Sequence, residues 1–162
     1  ANRRKLLDGV LEVLGELLDA RWVESSTIEC HHNFVRTEVH GGAPILVHRK
    51  GAISALKGEP GIIPGSMGTP SFHVEGRGHP DAMCSSSHGA GRVCSRTEAR
   101  GRISTKDLTR QLEGVFYDRR LASRLVDEAP LAYKDIRRVM RAQKGLLAIR
   151  RTLHPLLVHK GT

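Results

Sequence analysis

Thr27-Ile28-Glu29-Cys30-His31-His32-Asn33-Phe34-Val35 and, after the turn-forming Gly41-Gly42-Ala43-Pro44, the run Ile45-Leu46-Val47 decide how this chain reads. β-branched and aromatic residues bounded by a glycine-proline break predict strands over 27–35 and 45–47 with a turn between them. Ile62-Ile63 and Ser71 to Val74 are two further strand candidates. Outward toward the N-terminus, Leu7, Val10, Leu11, Leu14, Leu17 and Leu18 keep the helical period, with Asp8, Glu12, Glu16 and Asp19 on the other side. This predicts an amphipathic helix over 3–20 whose acidic stripe is a solvated face or, alternatively, a docking face. Trp22 reads as a core residue or a helix-end plug. From about Ala90 the pattern turns helical, over 92–100 and then, capped by Ser104 or Thr105, over 106–113. A helix over 131–144 follows Pro130, buries Ile136, Val139 and Met140, and stops at Gly145. Residues 146–158, broken by Pro155, can return as a strand. The predicted class is α+β, a β-rich, loop-heavy centre flanked by helices.

At 162 residues the chain suits one compact domain. Lys plus Arg number 26 against 17 Asp plus Glu, so the net charge is +9, and an anionic partner such as nucleic acid, nucleotide or acidic membrane is expected. Aromatic residues are only 4%, which excludes a base-stacking platform. No apolar run approaches the roughly 18–20 residues that cross a bilayer, and the N-terminus lacks the features of a signal peptide. The sequence therefore predicts a soluble, cytoplasmic protein with no membrane partner. Cys30, Cys84 and Cys94 form no CxxC pair, so neither a disulfide framework nor a zinc ribbon is indicated, and a reducing compartment fits. The charge is uneven: residues 1–48 hold 5 basic and 7 acidic side chains, 49–117 hold 10 and 6, and 118–162 hold 11 and 4. Arg137, Arg138, Arg141 and Lys144 share a polar helix face, which is either simply solvated or in contact with phosphates.

Seven of the nine His residues lie between His31 and His88, and 12 of the 17 glycines lie between Gly41 and Gly101, which marks that window as the site. Four clusters stand out in it. In Cys30-His31-His32-Asn33-Phe34, adjacent strand residues point to opposite faces, so one His faces the site while the other packs. His48-Arg49-Lys50-Gly51 places cations before a glycine, a pattern that an exposed strand end also explains. Pro64-Gly65-Ser66-Met67-Gly68-Thr69-Pro70-Ser71 can offer successive N–H groups to phosphate as a nest, or be an ordinary turn. Ser87-His88-Gly89-Ala90-Gly91-Arg92, with Arg96 beyond, leaves a His unshielded at a predicted helix start, with Arg92 and Arg96 on one helix face. An exposed neutral imidazole beside stabilised phosphate oxygens is the setting of a nucleophile. An incidental His at a glycine-flanked helix start is the plainer account.

These four stretches, with Asp127-Glu128-Ala129-Pro130-Leu131-Ala132-Tyr133-Lys134-Asp135-Ile136 and Val158-His159-Lys160-Gly161, resemble the RtcB family of RNA-splicing ligases. Six motifs in order from residue 30 to 161 carry the resemblance, which implies the family's mixed α+β fold. It also implies that His88 is the nucleophile that takes GMP from GTP. His32 corresponds to a manganese ligand, and Asn33 sits beside the nucleotide. Pro64, Gly65, Ser66, Met67 and Ser71 correspond to the guanylate-binding loop, and Gly89, Ala90 and Gly91 to the backbone beside the nucleophile. Tyr133 corresponds to the aromatic on guanine, Lys160 to the terminal base-side lysine, and Arg92 and Arg96 to groups that hold RNA phosphates.

The implied reaction joins an RNA 3′-phosphate or 2′,3′-cyclic phosphate end to a 5′-hydroxyl end, with GTP and manganese as cofactors. Broken RNA or tRNA halves would be the partners, with an archease-type activator. Family members are longer at the N-terminus, where the resemblance places most manganese ligands. Residues 1–162 are thus expected to form the C-terminal guanylate-binding portion, the N-terminal metal-binding half being absent and leaving apolar surface exposed. The competing readings are a catalytically incomplete RNA-binding or regulatory relative, and a small His-rich zinc hydrolase with three converging ligands.

Overall fold

The computed structural model describes residues 2–19 and 21–160. The predicted N-terminal helix forms as α1 (Asn2–Leu18), and residue 20 lies outside the described residues. Arg4, Leu7, Leu11 and Gly15, spaced three or four apart, are partly sheltered, whereas Leu6, Val10, Leu14, Leu17 and Leu18 face solvent. Trp22 is 43% exposed, with the Arg4 guanidinium 5.7 Å from its ring centroid. The helix-end reading of Trp22 therefore holds, and the core reading does not.

A two-residue turn at Gly41-Gly42 sets the first strand pair. β1 (Asn33–His40) and β2 (Ala43–Lys50) pair antiparallel from His40↔Ala43 out to Asn33↔Lys50. Because register is counted from the turn, β1 starts at Asn33, and residues 27–32, predicted as part of a strand, lie outside the ladder. Pro44, expected in the turn, falls inside β2, where a two-stranded ribbon tolerates a missing N–H. Alternation puts Phe34, Arg36, Glu38, His40, Val47 and Arg49 on one face and Val35, Val39 and Leu46 on the other, where they are exposed.

β3 (Ala52–Ser54) pairs antiparallel with β6 (Ser85–Ser87). β4 (Pro60–Ile63), β5 (Ser71–Gly76) and β7 (Leu147–Leu153) form an antiparallel sheet with β5 in the middle. The strands expected at 62–63, 71–74 and in the C-terminal segment are thus present. Ile53, Ile63, Phe72, Val74 and Leu147 bury their side chains against Ile136 and Met140 of a helix described below.

Capping chemistry sets the helices. Ser95 and Glu98 make a reciprocal capping box that starts α2 (Arg96–Arg102), four residues later than the predicted 92–100. Ser104 and Asp107 do the same for α3 (Thr105–Gln111). After α4 (Ala122–Leu125), Pro130–Ala132 makes a short 3₁₀ turn and Tyr133 is extended. Asp135 then accepts from the Arg137 N–H and caps α5 (Ile136–Ala142). The helix expected over 131–144 is shortened accordingly, because Asp135 is better used as a cap than inside a helix. Its buried face holds Ile136 and Met140 as predicted, and Arg137, Arg138, Arg141 and Lys144 are exposed. A second core gathers Met67, Ala99, Ile103, Leu108, Leu112, Leu125, Val126 and Ala129, and Tyr133 packs against both cores. Among the described residues, no helix is long and apolar enough to cross a membrane.

Candidate active site

His88 directly follows β6, and the next helix begins eight residues later, so the predicted helix-start setting of this imidazole is corrected. Arg92 likewise precedes α2 and shares no helix face with Arg96. What orients His88 is Gly51, the link between β2 and β3. The Gly51 N–H donates to the His32 carbonyl at 2.8 Å, and its own carbonyl accepts from His88 Nδ1 at 2.7 Å. A carbonyl can only accept, so the proton of a neutral His88 ring sits on Nδ1 and the Nε2 lone pair is left available. Gly51 holds φ at +73°, a conformation that an L side chain adopts only at a cost. The His32 ring stacks on His88 at 5.1 Å and 18°, while His31 packs edge-on to Phe34. Both histidines are exposed and precede β1, so the strand alternation expected to divide them does not apply.

The strand that carries His88 is braced on two sides. Gln143, buried at the end of α5, accepts the Ser87 N–H at 3.1 Å and donates to the Ser87 hydroxyl at 3.0 Å. On the other side Arg49, only 2% exposed, donates to the Ser85 hydroxyl and the Met83 carbonyl, each at 2.9 Å. Its charge is balanced by Glu38, which also takes hydrogen bonds from Arg36 and His40. The Arg49 hydrogen bond above all, aided by His40 and Arg36, outweighs burial and lowers the Glu38 carboxyl to about 2. Arg49 is therefore a buried brace, not an exposed strand end.

Pro64, Gly65, Ser66, Met67, Thr69, Ser71, Glu128, Tyr133, Leu153, His154, Pro155, Val158 and Lys160 line a pocket of about 360 Å³. The Pro64–Ser71 segment is not a nest. Neither Gly65 nor Gly68 has a positive φ, and the Ser66 N–H donates to the Thr69 hydroxyl at 2.7 Å. Gly65 is required for close approach, since a Cβ there would collide with the Pro70 carbonyl and the Thr69 hydroxyl. The Ala90 N–H donates to the Pro64 carbonyl at 3.2 Å and ties the His88 segment to the pocket rim. Tyr133 donates to Glu128 at 2.7 Å, and Lys160 donates to the same carboxylate oxygen at 3.2 Å. Burial pushes Glu128 up, but Tyr133, Lys160 and Arg96 together outweigh it and hold the carboxyl below its usual range. Burial and Glu128 raise the Tyr133 hydroxyl above its usual value.

Arg92 stands 4.9 Å from the Tyr133 centroid, and its three guanidinium nitrogens donate to Cys94 O, Tyr133 Oη and Asp127 O. Three of its five N–H groups are thus engaged and hold Tyr133 in place, while Arg96 is exposed and pairs with Asp127 and Glu128.

Of the residues singled out from the sequence, Pro64, Gly65, Ser66, Met67, Ser71, Tyr133 and Lys160 converge on the pocket, Met67 from within the helical core. Gly89 and Ala90 adjoin it through Pro64, and the Gly91 carbonyl accepts from the Lys134 N–H. His32 and His88 form a separate pair, and Asn33 starts β1 opposite Lys50, outside the lining. Glu128, Thr69 and His154 were missed. Glu128 and Thr69 each lie inside a stretch singled out from the sequence, whereas His154 carries no signal. Among the described residues, no group of three or more His, Cys, Asp or Glu side chains is placed to hold a metal ion.

A family model described as tRNA-splicing ligase RtcB matches residues 1–161. An RNA-splicing ligase RtcB of Escherichia coli (strain K12) is 43% identical over 165 residues, covering 99% of this chain and 40% of that protein. A tRNA-splicing ligase RtcB of Nanoarchaeum equitans is 35% identical across 80% of this chain and 32% of its own length. An RNA-splicing ligase RtcB of Mycobacterium bovis is 34% identical across 99% of this chain and 42% of its own length. The chain spans about 40% of the length of the first of these relatives.

Proposed function

Because the chain belongs to the RtcB family of RNA-splicing ligases, we propose that it is the guanylate-binding portion of a ligase that joins RNA 3′-phosphate or 2′,3′-cyclic phosphate ends to 5′-hydroxyl ends. The observation that carries this reading is the orientation of His88. Its Nδ1–H is fixed on the Gly51 carbonyl, so Nε2 can attack the α-phosphorus of GTP with no proton to be removed first. The P–N bond forms, the bond to pyrophosphate breaks, and the Gly51 carbonyl accepts a stronger hydrogen bond as positive charge develops on the ring. An RNA 3′-phosphate then displaces His88 from the same phosphorus. That transfer gives the 3′-phosphate, a poor electrophile until then, a good leaving group. The RNA 5′-hydroxyl attacks it, the 3′,5′-phosphodiester bond forms, GMP leaves and the hydroxyl proton passes to water, a 2′,3′-cyclic end having first been opened by water to the 3′-phosphate.

The pocket between Pro64–Ser71 and the C-terminal segment would take the guanylate, with guanine against Tyr133 and Lys160 on the base side. Arg92 and Glu128 fix the Tyr133 hydroxyl from both sides and thereby set the plane of the ring. Manganese remains part of this reading as the partner of His32. The described residues do not make a complete site for it, so no step is assigned to the metal. That lack of a ligand triplet also leaves the zinc-hydrolase reading without a site among the described residues.

The test is covalent labelling of a protein that contains this segment with GTP radiolabelled at the α-phosphate. An acid-labile GMP adduct lost in His88→Ala is expected. An adduct that persists in that variant overturns the assignment. RNA binding that is salt-sensitive but indifferent to GTP and to His88→Ala would identify an RNA-binding relative instead.

A further inference from the structure

Beside the guanylate pocket lies a larger cleft of about 540 Å³, lined by Arg96, Arg100, Arg124, Lys160, Asp127 and Glu128 together with Ser123 and Leu125. The two cavities share Glu128 and Lys160, which are hydrogen-bonded to each other at 3.2 Å and stand between them. Arg100 and Arg124 fall in none of the sequence motifs and have no role in the reaction as described so far.

The charges in this cleft do not balance. Asp127 is buried beneath Arg96 and Arg100, at 3.9 Å from the first and 3.4 Å from the second. One buried carboxylate thus orients two guanidiniums that are themselves 68% and 60% exposed. Glu128 is shared by Lys160, Arg96, Tyr133 and, at 3.6 Å, Arg92, which lies outside the cleft lining. Arg124 is exposed and pairs with no carboxylate among the described residues. Four cations against two carboxylates leave a surplus of positive charge on donors that already face the cleft. The lining contains no aromatic ring, so nothing in it can stack on a base. Such a surface recognises the phosphates of a strand and not its sequence.

The geometry points to this cleft as the track for the RNA backbone next to the end being joined, with Arg96, Arg100 and Arg124 on successive phosphates. The inference rests on the RNA-ligase reading in taking the anion to be RNA. The test is fluorescence anisotropy of the whole chain with a labelled single-stranded RNA ending in a 3′-phosphate, across a salt series, with neither GTP nor metal. The double variant Arg100→Gln, Arg124→Gln should lower the slope of log K against log salt by about 1.4, roughly 0.7 for each phosphate no longer neutralised. Arg100→Lys, Arg124→Lys should restore it. Removing the same charge from α5 with Arg137→Gln, Arg138→Gln should change the slope less. An unchanged slope in the first variant, or equal changes in the first and last, overturns the track. Covalent GMP labelling of the same proteins separates the two readings. A labelling defect in the glutamine variant without an RNA-binding defect would assign the cleft to the nucleotide's pyrophosphate and overturn the inference. Failure of the wild type to label, with the RNA slope still reduced, removes the guanylate reading and leaves the track standing.

Discussion

Glu38→Gln should be among the most damaging single changes in this chain, although it lies in a hairpin most of whose residues are exposed. The substitution keeps the shape of the side chain and removes its charge. Arg49, 2% exposed, then loses the carboxylate that bridges two of its nitrogens, and Arg36 and His40 lose their acceptor as well. Breaking a buried pair from one side costs about 3–5 kcal/mol, because the remaining charge is left uncompensated. For a chain of this length each kcal/mol moves the melting temperature by about 2–4 °C, so a fall of roughly 6–20 °C is expected. The same carboxylate sets an acid dependence. Its folded value of about 2 lies below the ordinary 4.5, so its contribution is complete above pH 4.5 and is lost as the pH falls toward 2. At about 1.36 kcal/mol per unit this amounts to about 3 kcal/mol. Thermal melts of the wild type and Glu38→Gln between pH 2 and 7 read both effects: the curves should converge toward pH 2, draw apart as the pH rises to 4.5 and keep a constant gap above it. The double change Glu38→Leu, Arg49→Met should cost less than Glu38→Gln alone. A melting temperature for Glu38→Gln within about 2 °C of the wild type at pH 7 would refute the reasoning.

Gly51→Ala should destabilise by about 1–2 kcal/mol through its positive φ, with Gly51→Asn recovering part of the loss, since Asn tolerates that region. Nitrogen NMR shifts of neutral His88 in the wild type should show the proton on Nδ1, and a proton on Nε2 would count against the Gly51 carbonyl as the orienting group. Gln143→Leu removes the acceptor of a sheltered Ser87 N–H, at a cost of about 1–3 kcal/mol in a melt. Gly65→Ala forces a Cβ into the Pro70 carbonyl and should abolish binding of a fluorescent guanylate by titration, and retained affinity would place the nucleotide elsewhere.

Local rules were legible where local chemistry decides. The Ser104 cap, the turn at Gly41-Gly42, the buried face of α5 and the strand after residue 146 all follow from spacing within a few residues. The errors have one cause, which is competition from groups distant in sequence or from a stronger cap nearby. Residues 92–95 carry helical spacing, yet Ser95 with Glu98 offers a better start, and Arg92 is drawn away to Tyr133 and Asp127. Arg49 looked like an exposed strand end because its partners stand 11 residues before it and 36 after it. The motifs marked which residues gather at the pocket, while their working contacts came only with the fold. That Gly51 lies beneath His88, Gln143 against Ser87 and Glu128 between two clefts is decided by residues far along the chain.

The pocket joins residues 64–71 to residues 153–160, some ninety positions apart, with Lys160 bonded to Glu128 across its mouth. Contacts so distant along the chain form late in folding, because their loop-closure cost is met only once the intervening segments are in place. During synthesis on the ribosome the Pro64–Ser71 loop and Tyr133 emerge well before Lys160, and the pocket stays open until that lysine has been added. An unfinished chain that stalls before residue 160 therefore lacks the lysine that closes this pocket.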